Sequence, residues 1–245
     1  MPALTWTAYT PNAAHPFVVA HRGASMHHRE SSPEAFAAAI EIGADAIETD
    51  VRRTRDGVFV CHHDDTLERT GGVHRTVADL SFAQFQQLAP DYAVMLTDVL
   101  DTLRGRCNLL LDLKLRDEAD IAALVDLLGA AGVDEQVAIG TRTLPAARLV
   151  RRLAPTLTQL GLIEDPDEAV EFIATGGAWV RLRQPEVTPA RIDALHALRT
   201  PVLVMVGGTG TRHAFGEIDA ADIAALRQLG VDGFMLNDPA ILADR

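Results

Sequence analysis

Acidic residues and histidines close two successive apolar runs near the start of the chain, in the segment IETDVRRTRDGVFVCHHD. Glu48 and Asp50 end the first run, and His62 and His63 end the second. Other apolar runs end in a histidine, an acid and two basic residues: His21, Asp112, Arg22 and Lys114. Carboxylates bind hard divalent cations, Arg and Lys bind phosphate, and His transfers protons near neutral pH. Together these residue types suit metal-assisted chemistry on a phosphorylated substrate.

The charges of these side chains suggest how the work is divided. We predict that Glu48, Asp50 and Asp112 bind one divalent cation, Ca²⁺ or Mg²⁺, because both ions prefer oxygen ligands and leave positions open for water or phosphate oxygens. Arg22 would bind the phosphate through its planar fork, and Lys114 would bind it as a point charge. Two histidines on either side of the phosphorus would act as general base and general acid, so that no Ser or Cys nucleophile is needed.

These side chains can act together only if the fold brings the ends of the runs to one place. Runs rich in Val, Ile and Leu alternate with segments of helical periodicity, which is the pattern of parallel βα units. The runs predicted as strands are 17–21, 45–51, 58–62, 107–113, 136–140, 157–162, 178–182, 201–206 and 232–236. Only RRTRDG separates the second run from the third, too short for a parallel crossover, so these two form an antiparallel hairpin. The rest predicts an α/β fold, the (β/α)8 TIM barrel, with its active site at the C-terminal strand ends.

The hairpin decides which side chains face the site. An Asp-Gly pair at residues 56–57 predicts a two-residue turn of type I′. With the turn there, Asp50 lies opposite His63, and directly opposed residues project from the same face. Glu48 shares that face through the period of two along a strand, whereas His62 points away. We therefore predict that His63, and not His62, joins the acids.

A small insertion follows the hairpin. The cap segment, residues 64 to about 98, lacks the βα rhythm and contains TGGVHRTVADLSFAQFQQL. We predict one helix in it, near residues 78–88. The segment would lie as a cap over the barrel mouth, the end of the barrel formed by the C-terminal ends of the strands.

Structural roles compete with the functional ones. His21 could be a hydrogen-bonded core histidine, and Asp112 could simply pair with Lys114. Glu48 and Asp50 could be solvated acids at a strand end. Acids on the face that fills a barrel mouth cost free energy without a cation, however, which favours the functional interpretation.

Composition limits the class of protein. The 245 residues are 48% hydrophobic and carry a formal net charge of −12, which suits one domain over residues 1–245. Lys and Arg are spread along the chain, which argues against a nucleic-acid partner or a polybasic membrane patch. We see neither a signal peptide nor the roughly 20 apolar residues of a membrane span, and expect a cytoplasmic protein. Cys61 and Cys107 are then expected to be free thiols in the core.

Three further features are assigned less directly. The glycines of residues 207–210 suggest either a flexible loop or a phosphate cradle, and the absence of a P-loop ending favours the flexible loop. Glu30 could contact a site residue or act as an acid at a helix N-terminus, and the sequence leaves both open. The histidines interpreted as surface residues are His27, His28, His62, His74 and His213.

Several motifs in order resemble the glycerophosphodiester phosphodiesterase family. They are HRGAS, GADAIETDV, TRDGVFVCHHDDTLERTGG and the late GVDGFMLNDP, and the resemblance spans nearly the whole chain. It implies a (β/α)8 barrel with a small insertion, a divalent metal, and hydrolysis of glycerophosphodiesters to glycerol 3-phosphate and an alcohol. Carried over, it makes His21 and His63 the catalytic pair, Glu48, Asp50 and Asp112 the metal ligands, and Arg22 and Lys114 the phosphate contacts.

The chain departs from the family pattern at three places. Arg-Glu-Ser-Ser at residues 29–32 replaces the usual Pro-Glu-Asn-Thr, which removes an amide. Asp112 stands where the family has Glu, one methylene longer. VMVGGTGTR at residues 204–212 replaces Trp-Thr-Val-Asn, so that an aromatic wall for the substrate is missing and a longer loop stands in its place. We expect these changes to affect substrate choice more than the reaction.

Two other functions compete. Enzymes of the sphingomyelinase D and lysophospholipase D type share the arrangement His, Glu-x-Asp, His, Asp-x-Lys and form a cyclic phosphate. A barrel that binds a phosphodiester without turning it over is a different class. Two opposed imidazoles argue against pure binding, and the similarity through GVDGFMLNDP favours hydrolysis of a small-molecule glycerophosphodiester.

Overall fold

The computed structural model describes residues 6–9, 15–163 and 165–243. Its strands are β1 (Phe17–His21), β2 (Ala46–Arg53), β3 (Phe59–Cys61), β4 (Asn108–Leu113), β5 (Val137–Thr141), β6 (Thr158–Gly161), β7 (Trp179–Arg183), β8 (Val202–Met205) and β9 (Gly233–Leu236). Each lies within two residues of its predicted run at both ends. Periodicity alone therefore located every strand.

Eight of the strands close into a parallel barrel. The order around it is β1-β9-β8-β7-β6-β5-β4-β2, and β2 pairs with β1 to close the ring. Among the strands that the structure describes, β3 is bonded antiparallel only to β2, and its Val60 forms an isolated bridge with Met95. This confirms the predicted α/β TIM barrel with an early hairpin.

Helices flank the barrel and form part of the cap segment. They are α1 (Pro33–Ile42), α2 (Glu68–Gly71), α3 (Phe82–Leu88), α4 (Leu96–Leu103), α5 (Glu118–Ala131), α6 (Leu144–Leu153), α7 (Ala169–Ala174), α8 (Pro189–Ala197) and α9 (Ala220–Gln228). Side-chain oxygens cap several of their first turns, at Ser32, Asp117, Thr143, Thr188 and Asp219. No helix among the described residues combines the length and the hydropathy of a membrane span.

The turn of the hairpin differs from the prediction. Thr54 donates its N–H to the Val58 carbonyl (2.9 Å), and Gly57 donates to the Thr54 carbonyl (2.9 Å). The loop therefore has three residues, with Gly57 alone at a positive φ of +89°. Since a type I′ turn needs positive φ at both central positions, the predicted turn and its register were wrong by one residue. In the observed ladder Arg52 faces Val60.

The barrel interior is apolar at its N-terminal end. An aromatic floor, made of Trp6, Tyr9, Phe17 and Trp179, lies among the first residues of the strands. The Trp6 and Trp179 rings meet edge to face at 5.8 Å, and the Trp179 indole N–H donates to the Trp6 carbonyl (3.0 Å). Edge-to-face packing adds to the stability gained from burying such large rings. This floor closes the barrel opposite the mouth.

The cap segment has an apolar cluster of its own, formed by Val60, Leu67, Val77, Leu80, Phe85 and Ala89. The predicted single helix is divided into a 3₁₀ turn, Val77–Asp79, and α3. Ser81 accepts from the Gln84 N–H while the Gln84 side chain accepts from the Ser81 N–H, a capping box that starts α3 anew. The Ser-x-x-Gln spacing was the sequence signal for this start.

Cys61 and Cys107 are buried free thiols, as predicted. Burial raises the pKa of each thiol to about 12. Neither thiol is therefore an activated nucleophile.

Candidate active site

Three carboxylates meet at the mouth. Glu48 and Asp50 lie two apart on β2 and share its inner face, and parallel pairing places Asp112 of β4 beside Asp50. One oxygen of each lies within 4.8 Å of the others, and the three residues are 1% to 4% exposed. The structure thus brings together the acids that the sequence selected.

Basic side chains surround these acids. Lys114 Nζ lies 3.0 Å from Asp50 Oδ1 and 2.7 Å from Asp112 Oδ2. Arg142 forms two hydrogen bonds with Asp112: Nε donates to Oδ1 (3.0 Å) and Nη2 donates to Oδ2. Sequence reasoning missed Arg142, although it directly follows β5 and therefore lies at a C-terminal strand end. Its fork makes the two-point contact that carboxylates favour.

The donor set fits a hard divalent cation. Asp50 Oδ2 is buried and accepts no hydrogen bond from the described residues, since Arg22 Nε, 3.3 Å away, is not aligned to donate. Burial, then the charges of Asp50 and Asp112, raise the pKa of Glu48 well above its ordinary value. Burial opposes ionisation of Asp112 too, but the hydrogen bond from Arg142 and the charge of Lys114 bring the pKa of Asp112 below its ordinary value. Buried carboxylate oxygens that repel each other are suitable ligands for Ca²⁺ or Mg²⁺.

His21 ends β1 at the edge of this cluster. Its Nδ1 lies 2.8 Å from Asn237 Oδ1, and the Asn237 amide donates to the Phe215 carbonyl (2.9 Å), so His21 carries its proton on Nδ1. The other nitrogen, Nε2, lies 3.9 Å from Glu48 Oε2. Burial, and then the charge of Arg22, lower the pKa of His21 to about 4. The ring is therefore neutral near pH 7, with a lone pair on Nε2.

Arg22 adopts a left-handed backbone conformation, with φ of +57°. Its N–H donates to Glu48 Oε2 (3.1 Å), and its Nη1 donates to Glu30 Oε2 (3.1 Å). Left-handed φ costs a non-glycine residue about 1–2 kcal/mol. Such strain is typical of functional sites, and here it turns both the backbone and the guanidinium of Arg22 toward the acids.

A chain of ion pairs runs from Arg22 to His63. Glu30 accepts from Arg22 through one oxygen and from Arg69 Nη2 through the other (2.5 Å). Arg69 Nε in turn donates to Asp64 Oδ2 (2.6 Å), whose Oδ1 lies 2.7 Å from His63 Nδ1. Glu30 therefore contacts a site residue, which decides the alternative that the sequence left open. Asp64 fixes Nδ1 of His63, while Nε2 has no hydrogen-bond partner in the part of the chain that the structure describes.

The neighbouring histidine faces elsewhere. The His62 ring packs against the rings of Phe85 and Tyr92, at 5.4 and 6.4 Å, and bonds Thr70 Oγ1 (3.0 Å). It is only 3% exposed, so its interpretation as a surface histidine was wrong. The observed register places Asp50 opposite His62, whose N–H donates to the Asp50 carbonyl (3.1 Å). Because β3 ends at Cys61, the chain leaves the sheet there and the face rule no longer applies.

An aromatic side chain lies next to His21. Phe215 lies with its ring 5.8 Å from the ring of His21 and is 52% exposed. The segment 204–212 itself contains no aromatic residue, as the sequence showed, but Phe215, three residues beyond it, brings an aromatic ring to His21. Nothing in the local pattern marks Phe215, because its contact depends on how the loop folds back over β1.

The glycine-rich loop is held by the protein itself. Gly207 N–H donates to Gln184 Oε1 (2.9 Å), and Gly208 N–H donates to the His213 carbonyl (3.0 Å). A Cβ on Gly207 would lie 1.9 Å from the Ala214 carbonyl oxygen, so close packing requires this glycine. These two N–H groups are not free to cradle a phosphate. Of the other surface histidines, His27, His28 and His74 are exposed and His213 is half-buried.

Comparisons with known proteins identify the family and the fold. The model of the glycerophosphoryl diester phosphodiesterase family matches residues 21–241. A probable glycerophosphodiester phosphodiesterase of Mycobacterium tuberculosis is 47% identical over 85 residues, 35% of this chain and only 31% of that protein's length. A putative glycerophosphodiester phosphodiesterase of Galdieria sulphuraria has a TM-score of 0.84 at 20% identity, over 95% of this chain and 98% of that one. A phosphodiesterase of Oleispira antarctica, solved with its product sn-glycerol-3-phosphate, has a TM-score of 0.79 at 21% identity, over 94% and 96%. This chain therefore belongs to the glycerophosphoryl diester phosphodiesterase family.

Proposed function

We propose that this protein hydrolyses glycerophosphodiesters to glycerol 3-phosphate and an alcohol, with a divalent cation, Ca²⁺ or Mg²⁺, held by Glu48, Asp50 and Asp112. One observation carries the proposal: His21 borders the cluster of buried carboxylates, and a chain of ion pairs connects a second imidazole, His63, to Arg22 at the same cluster. Binding alone would not need two such rings. The product seen in the Oleispira relative supports the same reaction.

His21 is the general base. It is neutral near pH 7 because its pKa is lowered to about 4, first by burial and then by Arg22. Asn237 holds the proton on Nδ1, so Nε2 is the atom that accepts a proton from the attacking water. A positioned base of this kind has the geometry that general base catalysis requires.

His63 is the general acid. Its side chain is 37% exposed, against 10% for His21, which leaves room for an alcohol of variable size. Asp64 accepts a hydrogen bond from Nδ1 of His63 and is itself bonded to Arg69, so the orientation of the ring is fixed. Nε2 is then the nitrogen that donates a proton to the departing oxygen. A carboxylate that fixes the tautomer and orientation of an imidazole is a common arrangement in proton-transfer sites.

Arg22 and Lys114 bind the phosphate. Both contact Asp50, so a phosphate at this cluster meets positive charge from two sides. The cation, when bound, supplies charge stabilisation for the phosphoryl oxygens. Arg142 keeps both oxygens of Asp112 in place, and its role is to position that carboxylate.

Metal removal tests the proposal. We expect treatment with EDTA to abolish hydrolysis of glycerophosphocholine, and Ca²⁺ or Mg²⁺ to restore it, because the cation would supply the charge that stabilises the phosphoryl oxygens. Asp50→Asn should prevent the restoration, whereas Asp134→Asn, at an exposed acid far from the mouth, should behave as the parent protein. Full activity after exhaustive chelation would refute the metal assignment.

The identity of the product tests the reaction type. Phosphorus NMR should detect glycerol 3-phosphate as the first product. A cyclic phosphate in its place would mean that an internal hydroxyl attacks, as in the sphingomyelinase D type. Absence of turnover on every diester, together with tight binding of one, would favour the binding barrel.

A further inference from the structure

A second polar region adjoins the candidate active site. A cavity of about 810 Å³ opens beside Lys114 and Arg142, between the hairpin, the loop after β4 and the loop after β5. Ligand pockets in proteins measure roughly 300–1,000 Å³, so the cavity can hold a group much larger than glycerol. Five cations line it: Arg52, Arg53, Lys114, Arg116 and Arg142.

The acids of the cavity are already engaged. Asp65 accepts from Arg52 Nη1 (2.8 Å), and Asp120 accepts from Arg53 Nη1 (2.6 Å). Asp117 caps α5 by accepting the N–H of Ala119 (2.8 Å).

The fourth acid, Glu118, lies 3.6 Å from Arg152, whose guanidinium is not part of the cavity wall. None of the four acids therefore neutralises Arg116 or Arg142.

Two guanidinium groups keep donors free. Arg142 uses Nε and Nη2 on Asp112, and its Nη1 makes no hydrogen bond or ion pair with the part of the chain that the structure describes. Arg116 is exposed and has neither kind of partner among the described residues. A guanidinium fork is the side chain best suited to phosphate and carboxylate. The cavity thus offers the guanidinium of Arg116 and the unused Nη1 of Arg142 to an anionic ligand.

The cavity lies on the side of the general acid. Arg52 lines it and donates to the His63 carbonyl through Nε (3.1 Å) and Nη2 (2.8 Å). Arg52 therefore connects the cavity wall to the backbone of His63, and Lys114 and Arg142 connect it to Asp112 of the acid cluster. The glycerol half carries only hydroxyl groups and has no use for these cations.

We propose that the cavity recognises an anionic group on the alcohol half of the substrate, so that the preferred substrates are glycerophosphodiesters whose alcohol bears a further phosphate or carboxylate. This inference rests on the proposed function. Arg116 and the free Nη1 of Arg142 are the donors, and Arg116 determines specificity without touching the acid cluster.

Matched substrates test the proposal on the full chain with its divalent cation. One pair is the glycerol phosphodiester of 3-hydroxypropanoate and that of its uncharged amide; the other is glycerophosphoglycerol with and without a terminal phosphate. Because hydrogen bonds to charged groups are stronger than neutral ones, we expect kcat/KM to be about tenfold higher for the anionic member of a pair, mainly through KM. The two pairs distinguish carboxylate from phosphate, and added salt should reduce the preference.

Variants locate the effect. Arg116→Gln should reduce the preference for the anionic substrate about tenfold, Arg116→Lys should keep part of it, and Arg116→Glu should reverse it. Arg106→Gln, at an exposed arginine outside the cavity, should leave the preference unchanged. If the uncharged diesters are hydrolysed but the anionic ones are no better, or if Arg116→Gln leaves the preference intact, the inference is overturned while the proposed function stands. If no diester is hydrolysed, the proposed function falls and takes the inference with it.

Discussion

At the N-terminal end of the barrel the strands surround an aromatic floor, whereas at the mouth the same strands carry three acids and their cations. In β1 the inward residues change from Phe17 to His21, and in β2 they change from Ala46 to Glu48 and Asp50. A few residues thus separate the most apolar part of the interior from its most charged part. The floor gains stability from buried rings, while the mouth keeps carboxylates in a place where burial disfavours their charge.

This contrast assigns stability and chemistry to different ends of one interior. A mutation at the floor should lower the free energy of unfolding and spare the reaction, while one at the mouth should do the reverse. Barrels of this kind generally keep their chemistry at the C-terminal face. Four measurements break or sharpen the comparison.

The largest effect is expected at the mouth. His21→Ala and His63→Ala should each lower kcat by about 10²–10⁴ with a smaller change in KM, because each removes a proton-transfer group. The double variant should reduce kcat by less than the product of the two single reductions, since the pair acts as a unit. His74→Ala, at an exposed histidine of the cap segment, is the matched control and should leave kcat unchanged.

The leaving group separates the two histidines. A nitrophenyl diester needs little protonation on departure, so it should rescue His63→Ala and leave His21→Ala impaired. Equal losses for both variants on both substrates would mean that neither histidine is a dedicated acid. A positioning role would then be the better account of the pair.

At the floor, Trp179→Ala should lower the free energy of unfolding by about 3–5 kcal/mol, the usual cost of deleting a buried Trp. The indole also donates to the Trp6 carbonyl, which would lose its partner. Urea unfolding gives the stability, and kcat per folded molecule should change little. A drop in kcat comparable to that of the histidine variants would break the separation between the two ends.

The smallest effect concerns the stability that the protein loses when Glu48 is ionised at the mouth. Burial, followed by Asp50 and Asp112, raises the pKa of Glu48 from its ordinary 4.5, so the folded protein favours the neutral acid. Its contribution to stability is therefore present below about pH 4.5 and is lost as pH rises through the raised pKa. In EDTA, Glu48→Gln should escape this loss and become more stable than the parent as pH increases. If the difference in melting temperature between Glu48→Gln and the parent stays constant from about pH 4 to pH 8, then ionisation of Glu48 does not lower the stability.

Local patterns predicted the strands and the acids well. The period of two in β2 places Glu48 and Asp50 on one face, and the apolar run of β4 marked the strand end at which Asp112 and Lys114 lie. These features depend on neighbouring residues and on the fixed geometry of a strand, so they can be read from a few letters.

Other features of the site depended on contacts between distant segments. The three-residue turn at Gly57 is set by backbone angles that an Asp-Gly pair does not decide alone. His63 was placed at the site on an incorrect register, and its real orientation comes from Asp64 and Arg69 after the ladder has ended.

By itself, then, the sequence determined the barrel, the strand ends and the chemical types gathered at the mouth, because hydrophobic periodicity and parallel pairing are properties of short segments. Only the tertiary structure decided that Arg142 donates to Asp112 and that Phe215 contacts His21. It also decided that ion pairs through Glu30 connect Arg22 to the cap segment. Each of these contacts depends on different strand ends and loops meeting in space. Their partners are fixed by the closure of the barrel, which brings all eight strand ends to one mouth.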